Sequence, residues 1–208
     1  QPIWLAQREG RAKDSNDRTQ EGLIKMLSMY SNGDIIDALK ELNLAPTTIS
    51  YEYDPCDYLK AKEFQQKRDN PEWKKSPMDD LVNMKAGMFG FKGGIHYHVA
   101  ACINEEIDAI DRSLGKNEKT AAVARIIDRH IHSNYKFWPI NYYFYELMTG
   151  DTRFADRYTT EDKAKLDAYL QGQIEKIDLP DRDDEFCRAR ILEMYANPVK
   201  NYLIATEG

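Results

Sequence analysis

Six residues near the start of the chain, Arg8-Glu9-Gly10-Arg11-Ala12-Lys13, bring three cations, one carboxylate and one glycine together. That combination suits an anion. Arginine presents a planar fork matched to phosphate oxygens, lysine adds a point charge, and Gly10 lets the backbone approach a ligand closely. Glu9 can orient an arginine or stay in solvent. The same six residues also read as a solvated surface loop, which is what most charge runs are. They form neither a P-loop nor a dinucleotide fingerprint, because G-x-x-x-x-G-K-[ST] and G-x-G-x-x-G are both absent.

The other residue types that do chemistry are sparse. His96 and His98 fall on one face of a predicted strand and are two candidate zinc ligands, but no Asp, Glu or Cys at ligand spacing completes the set, so no metal site is expected. His130 and His132 sit late in a helix, where positions i and i+2 diverge. His130 shares a face with Val123, Ile126 and Ile127 and reads as a packed core histidine. No serine lies in G-x-S-x-G. Cys56, Cys102 and Cys187 are far apart and lack C-x-x-C spacing, which fits a reduced, cytosolic setting. The aromatic run over residues 135–145 reads as helical core, with an interfacial lipid-facing belt as the sharper alternative.

The elements that would position these groups follow from periodicity. Residues 3–6 (Ile-Trp-Leu-Ala) read as a buried strand emptying into the cationic turn, the place where α/β folds put ligand sites. Leu23, Met26, Leu27 and Tyr30 recur at helical spacing, Asn32-Gly33 breaks that helix, and Ile35, Leu39 and Leu42 begin another. Residues 44–53 form a second strand with Ile49, Tyr51 and Tyr53 on one face and Ser50 and Glu52 on the other, ended by Asp54-Pro55. Helices are predicted over 57–68 and 78–89, then a third strand over 95–99 with Ile95, Tyr97 and Val99 alternating with the two histidines. Beyond residue 105 the pattern is helical only, over 118–133, 139–149, 159–178 and 183–196. The expected fold class is α/β: a partial sheet flanked by helices over residues 1–110, followed by an all-helical extension over 111–208.

Composition bounds the function. The formal net charge is −6 and the isoelectric point about 5.3, which argues against a nucleic-acid binder relying on a basic surface. Hydrophobic residues make up 42% of the chain, too many for a disordered protein, yet no apolar run is long enough to span a bilayer. With no initiator Met and an apparent strand already under way at residue 3, the chain is expected to be the C-terminal portion of a longer protein.

In order and character these segments resemble the glycerolipid acyltransferases, the lysophosphatidate and glycerol-3-phosphate acyltransferase superfamily. Ile3-Trp-Leu-Ala-Gln-Arg-Glu-Gly-Arg11 resembles that family's strand and E-G-x-R block. Leu44-Ala-Pro-Thr-Thr-Ile-Ser-Tyr-Glu52 is similar to its later strand, and Phe91-Lys-Gly-Gly-Ile-His-Tyr-His-Val99, followed by Ile103-Asn104, to the closing strand and turn. The resemblance covers about residues 1–110 and leans towards the glycerol-3-phosphate branch. It implies an enzyme of phospholipid synthesis that moves a fatty acyl group from acyl-CoA or acyl carrier protein to a hydroxyl of a phosphorylated glycerol-like acceptor, with no further cofactor. It implies a cytoplasmic protein, with peripheral contact to the cytoplasmic membrane face and no nucleic-acid partner.

Carried over by residue, Glu9 and Gly10 match the phosphate-binding block. Ala12 stands at the arginine position, leaving Arg11 or Lys13 to supply the cation. The acceptor pocket is therefore expected at Arg8, Glu9, Gly10, Arg11 and Lys13, with Pro46, Tyr51, Glu52 and Tyr53 lining the cleft. In the family an H-x-x-x-x-D motif supplies the general base. The residues five places after the four histidines are Ala101, Ile103, Tyr135 and Phe137, so none here fills that role and this chain alone is expected to be inactive. Two alternatives stand beside this reading: a non-catalytic anion- or lipid-binding module on the same fold, and a helical interaction protein.

Overall fold

The computed structural model describes residues 2–7 and 12–208. In chain order the elements are α1 (Glu21–Leu27), α2 (Ile35–Glu41), β1 (Thr47–Tyr51), α3 (Asp57–Asp69), α4 (Pro77–Phe89), β2 (Ile95–Val99), α5 (Asn104–Asp108), α6 (Lys116–Ser133), α7 (Pro139–Thr149), α8 (Thr160–Glu175) and α9 (Asp184–Glu207), with a 3₁₀ turn, Ala155–Arg157, between α7 and α8. The architecture is a helical body carrying a small antiparallel sheet.

Local chemistry explains the helix starts. Ser76 and Asp79 form a reciprocal capping box at α4, and Thr159 and Asp162 form another at α8. The Asp183 carboxylate accepts from the Phe186 amide at the head of α9. Pro139 opens α7, where a missing amide costs nothing, and Gly150 closes it in the left-handed conformation at φ +73°. α9 runs through Pro198, past the predicted end at 196. Buried Met194, Tyr195, Ala196 and Val199 on both sides of the proline hold it against the body.

α9 is the strut of that body, packing on α7, α3, α6 and α8. The main core joins Ile140, Tyr143 and Phe144 of α7, Leu166, Leu170 and Ile174 of α8, and Ile191 and Tyr195 of α9, with Ala61 of α3 against them. A second core gathers Ile24, Ile36, Leu39, Ile103, Ile107 and Val123 from α1, α2, α5 and α6. The aromatic run therefore belongs to the core: Tyr143, Phe144 and Tyr145 are all buried.

The sheet differs from expectation in two respects. Residues 3–6 form no strand; Ile3 and Trp4 are 88% and 71% exposed. An apolar run becomes a strand only where a neighbouring ladder takes up its amides and carbonyls, and among the described residues the sheet pairs only β1 with β2. Thr47 lies opposite Val99 and Tyr51 opposite Ile95. The alternation in β1 is as read, but its polar row faces inward. The Thr48 hydroxyl donates to the Ile131 carbonyl at 2.9 Å and the Ser50 hydroxyl accepts from the Lys136 amide at 3.1 Å, so the hydroxyls satisfy backbone groups around the end of α6. The apolar row of β2, Ile95, Tyr97 and Val99, is exposed.

Candidate functional site

Arg8, Glu9, Gly10 and Arg11 lie outside the described residues; both flanks of their turn are described. On the near side the Gln7 carbonyl accepts from the Gln20 amide at 3.0 Å. On the far side Ala12 is buried and the Lys13 ammonium pairs with Glu63 of α3. Asn197 of α9 donates its side-chain amide to the Asp14 carbonyl at 2.8 Å, and Arg18 donates to the Asn201 side chain at 2.9 Å. The Thr19 amide and hydroxyl both donate to Asp128 of α6, at 2.8 and 2.6 Å. The described segments on either side of residues 8–11 are thus joined to each other through Gln7 and Gln20 and tied to three helices of the body.

Lys13 is not a free cation. Glu63 is buried, and Lys67 and Lys75 each approach it at 3.4 Å. Burial by itself would raise the Glu63 carboxyl, but the lysines, Lys13 foremost, outweigh it and hold the group below the usual carboxylate range. Burial lowers the Lys13 ammonium against the pull of that same carboxylate. Three lysines around one carboxylate leave a locally positive surround beside the turn.

A second constellation lies at the start of α3. Asp57 is fully buried, and its carboxylate accepts from the hydroxyls of Tyr169 (2.7 Å) and Tyr195 (2.9 Å), the Gln173 side-chain amide (2.6 Å) and the Tyr58 backbone amide (2.6 Å). Desolvation raises the Asp57 carboxyl despite these donors, and the neighbouring Asp54 charge adds to the rise. Beside it opens a cleft of about 370 Å³ lined by Pro55, Tyr58, Gly90, Phe91, Tyr169 and Lys176, among others. The cleft is mainly apolar, with Tyr58, Tyr169, Gln173 and Lys176 as the lining residues that carry polar groups, so it suits an alkyl group carrying a polar or anionic end.

The expected cleft-lining residues are spread along β1. Pro46 is buried just before β1, its carbonyl accepting from the Ala100 amide at 2.9 Å, whereas Tyr51 is exposed at the other end, about 16 Å away along extended chain. The Glu52 carboxylate accepts from the Gly94 amide at 2.8 Å. The Tyr53 ring lies 4.8 Å from that of Tyr169 and 5.6 Å from that of Phe91, touching two walls of the cleft.

The packed core histidine is His132 and not, as expected, His130. His132 is the buried one, its Nε2–H donating to the Asp17 carbonyl at 3.0 Å, while His130 is half-buried and pairs with Glu106. Among the described residues no group of three His, Cys, Asp or Glu side chains is placed to hold a metal. Burial pushes the Cys187 thiol up to about 11, the opposite of what a nucleophile needs. No described helix is long and apolar enough to cross a membrane.

Sequence reading did not find Asp57, Glu63, Tyr169, Gln173 or Tyr195. Asp57 sits in the first turn of a helix, where acidic residues serve the helix dipole from the surface, so nothing in its spacing marks it as buried. Compared with family models, curated protein sequences and solved structures, the chain finds no match.

Proposed function

We propose that this chain forms the acceptor-binding part of an acyltransferase of phospholipid synthesis. In this reading a fatty acyl group passes from acyl-CoA or acyl carrier protein to a hydroxyl of a phosphorylated, glycerol-like acceptor on the cytoplasmic side of a membrane. The general base would be the His–Asp pair that the family resemblance places upstream of the E-G block. The chain's own part is positioning: cations at Arg8 and Arg11 hold the acceptor phosphate, and holding a reactant in place is a large share of such catalysis.

The observation that supports this best is the anchoring of the segments that flank residues 8–11. A loop that merely carried solvated charge needs no bond across its base and no ties to α3, α6 and α9. Lys13 is spent on Glu63, which leaves the two arginines as the phosphate ligands and Lys13 as the residue that holds the turn to α3.

The test is calorimetric titration of the 208-residue chain with glycerol 3-phosphate and with glycerol, followed by an acyl-transfer assay on the complete gene product. Binding of the phosphorylated compound alone, abolished in Arg11→Ala, together with transfer to it, is the expected result. Selective binding without transfer would leave a non-catalytic anion-binding module, and no selectivity for the phosphate would overturn both readings.

A further inference from the structure

α4 is amphipathic the wrong way round for a helix of a globular body. Its polar and small side leans on the protein: the Cys56 thiol donates to the Asn83 carbonyl at 3.4 Å, Gly87 faces that same sulfur, and a Cβ at Gly90 would collide with Pro55. Its apolar side, Met78, Leu81, Val82, Met84, Met88 and Phe89, is exposed, and no residue of the helix is buried. Phe89 and Phe91 are 79% and 76% exposed, although side chains of this size are ordinarily buried. An apolar stripe of this extent on an otherwise well-packed protein marks a surface that something covers.

Charge decides what covers it. The segment holding α4 carries Lys74, Lys75, Lys85 and Lys92 against Asp79 and Asp80, a positive stretch in a chain of net charge −6. Both aspartates are already engaged, Asp79 in the capping box and Asp80 with Lys75 at 3.2 Å. Lys74, Lys85 and Lys92 have no carboxylate partner among the described residues. Lys85 falls in the middle of the apolar side by helical periodicity. A second copy of the chain seated there about a two-fold axis would bring Lys85 against Lys85, and lysine is depleted from the cores of protein interfaces. A lipid surface accommodates it, because the four-carbon stem lies among the apolar side chains while the ammonium reaches the head groups.

We infer that α4 lies on an anionic membrane surface, with Met88, Phe89 and Phe91 inserted at the boundary of the acyl chains and Lys74, Lys85 and Lys92 at the phosphates. Docking through α4 stands independently of acyl transfer, since it uses none of the residues assigned to the acceptor.

The experiment is vesicle flotation of the 208-residue chain with phosphatidylcholine alone and with phosphatidylcholine plus phosphatidylglycerol. The wild-type chain is expected to float with the anionic vesicles, less so with the neutral ones, and to be released by salt. Lys85→Gln is expected to weaken anionic binding about fivefold, the equivalent of about 1 kcal/mol. The double variant Met88→Ser, Phe89→Ser, altered only at exposed positions and checked for folding by circular dichroism, is expected to stay at the bottom of the gradient. No flotation of the wild-type chain, flotation of the double variant at wild-type level, or a dimer in sedimentation velocity that the double variant dissociates would each overturn the assignment.

Discussion

The hydroxyl of Tyr195, on α9, donates to the buried carboxylate of Asp57, at the head of α3, over 2.9 Å. The same hydroxyl accepts from the Asp54 amide at 3.0 Å, so one phenol bridges the turn before α3 and the helix itself. With Tyr169 and Gln173 of α8 on the same carboxylate, this group joins three helices at one point.

Because burial raises the Asp57 carboxyl in the folded state, folding takes up a proton there. Its contribution is fully present below the unfolded carboxyl value of about 3.9 and is lost as pH rises through the folded value. Asp57→Asn keeps the shape and removes the titration. Urea unfolding across this range should show the wild-type chain losing stability relative to Asp57→Asn as pH rises, and parallel profiles would refute the assignment. Tyr195→Phe, which strands the Asp54 amide and removes one donor, should cost about 1–3 kcal/mol at any pH.

His132 has the opposite behaviour. Burial lowers its imidazole against the nearby Asp128 charge and the Asp17 carbonyl, with Arg18 adding to the lowering. Protonation therefore favours the unfolded chain, and stability should fall as pH drops below about 6.5. His132→Gln retains a donor for Asp17 without a titrating ring. Its thermal unfolding midpoint should be flatter than wild type between pH 7.5 and 5, values bracketing the ordinary imidazole range, and an unchanged slope would remove His132 from the account.

Lys13 and Arg11 should separate structure from binding. Lys13→Ala is expected to lower the melting temperature by about 2–4 °C, the response to about 1 kcal/mol in a chain of this size, because Glu63 keeps Lys67 and Lys75. Glu63→Gln should cost more, since it takes the one carboxylate away from Lys13 and Lys67 and leaves Lys75 with Asp80 alone. Arg11→Ala should leave the melting temperature unchanged and raise KM for a phosphorylated acceptor by the equivalent of about 1.5–3 kcal/mol per charged hydrogen bond. The reverse pattern, binding lost with Lys13 and stability with Arg11, would invert the two roles.

Gly150 is a clean test of backbone strain. It sits at φ +73° with nothing within 4 Å of where a Cβ would be, so Gly150→Ala meets no clash and only the left-handed penalty, about 1–2 kcal/mol. A melting temperature equal to wild type would show that α7 ends without help from this residue.

Much of the helical body was legible from the amino acids. The predicted spans 118–133 and 139–149 match α6 and α7 within a residue or two, because long apolar periods bounded by Gly115, Pro139 and Gly150 leave little choice. The strand predicted over 44–53 contains the shorter β1, and the one predicted over 95–99 coincides with β2. The candidate site is less readable: nothing in the spacing of the cationic run shows that Lys13 pairs with a buried glutamate fifty positions later.

By itself the sequence determined where the chain is helical, where it alternates and where its charge collects, since these depend on neighbours within a turn or two. Only the tertiary structure decided which side of each element is inside. Thr48 and Ser50 face inward because the end of α6 offers them backbone partners, Asp57 is buried because two tyrosines and a glutamine from distant helices converge on it, and the apolar side of α4 is outside because its small polar side fits against Pro55 and Cys56. Periodicity defines two faces for any element, and which of them is covered depends on what the rest of the chain brings alongside.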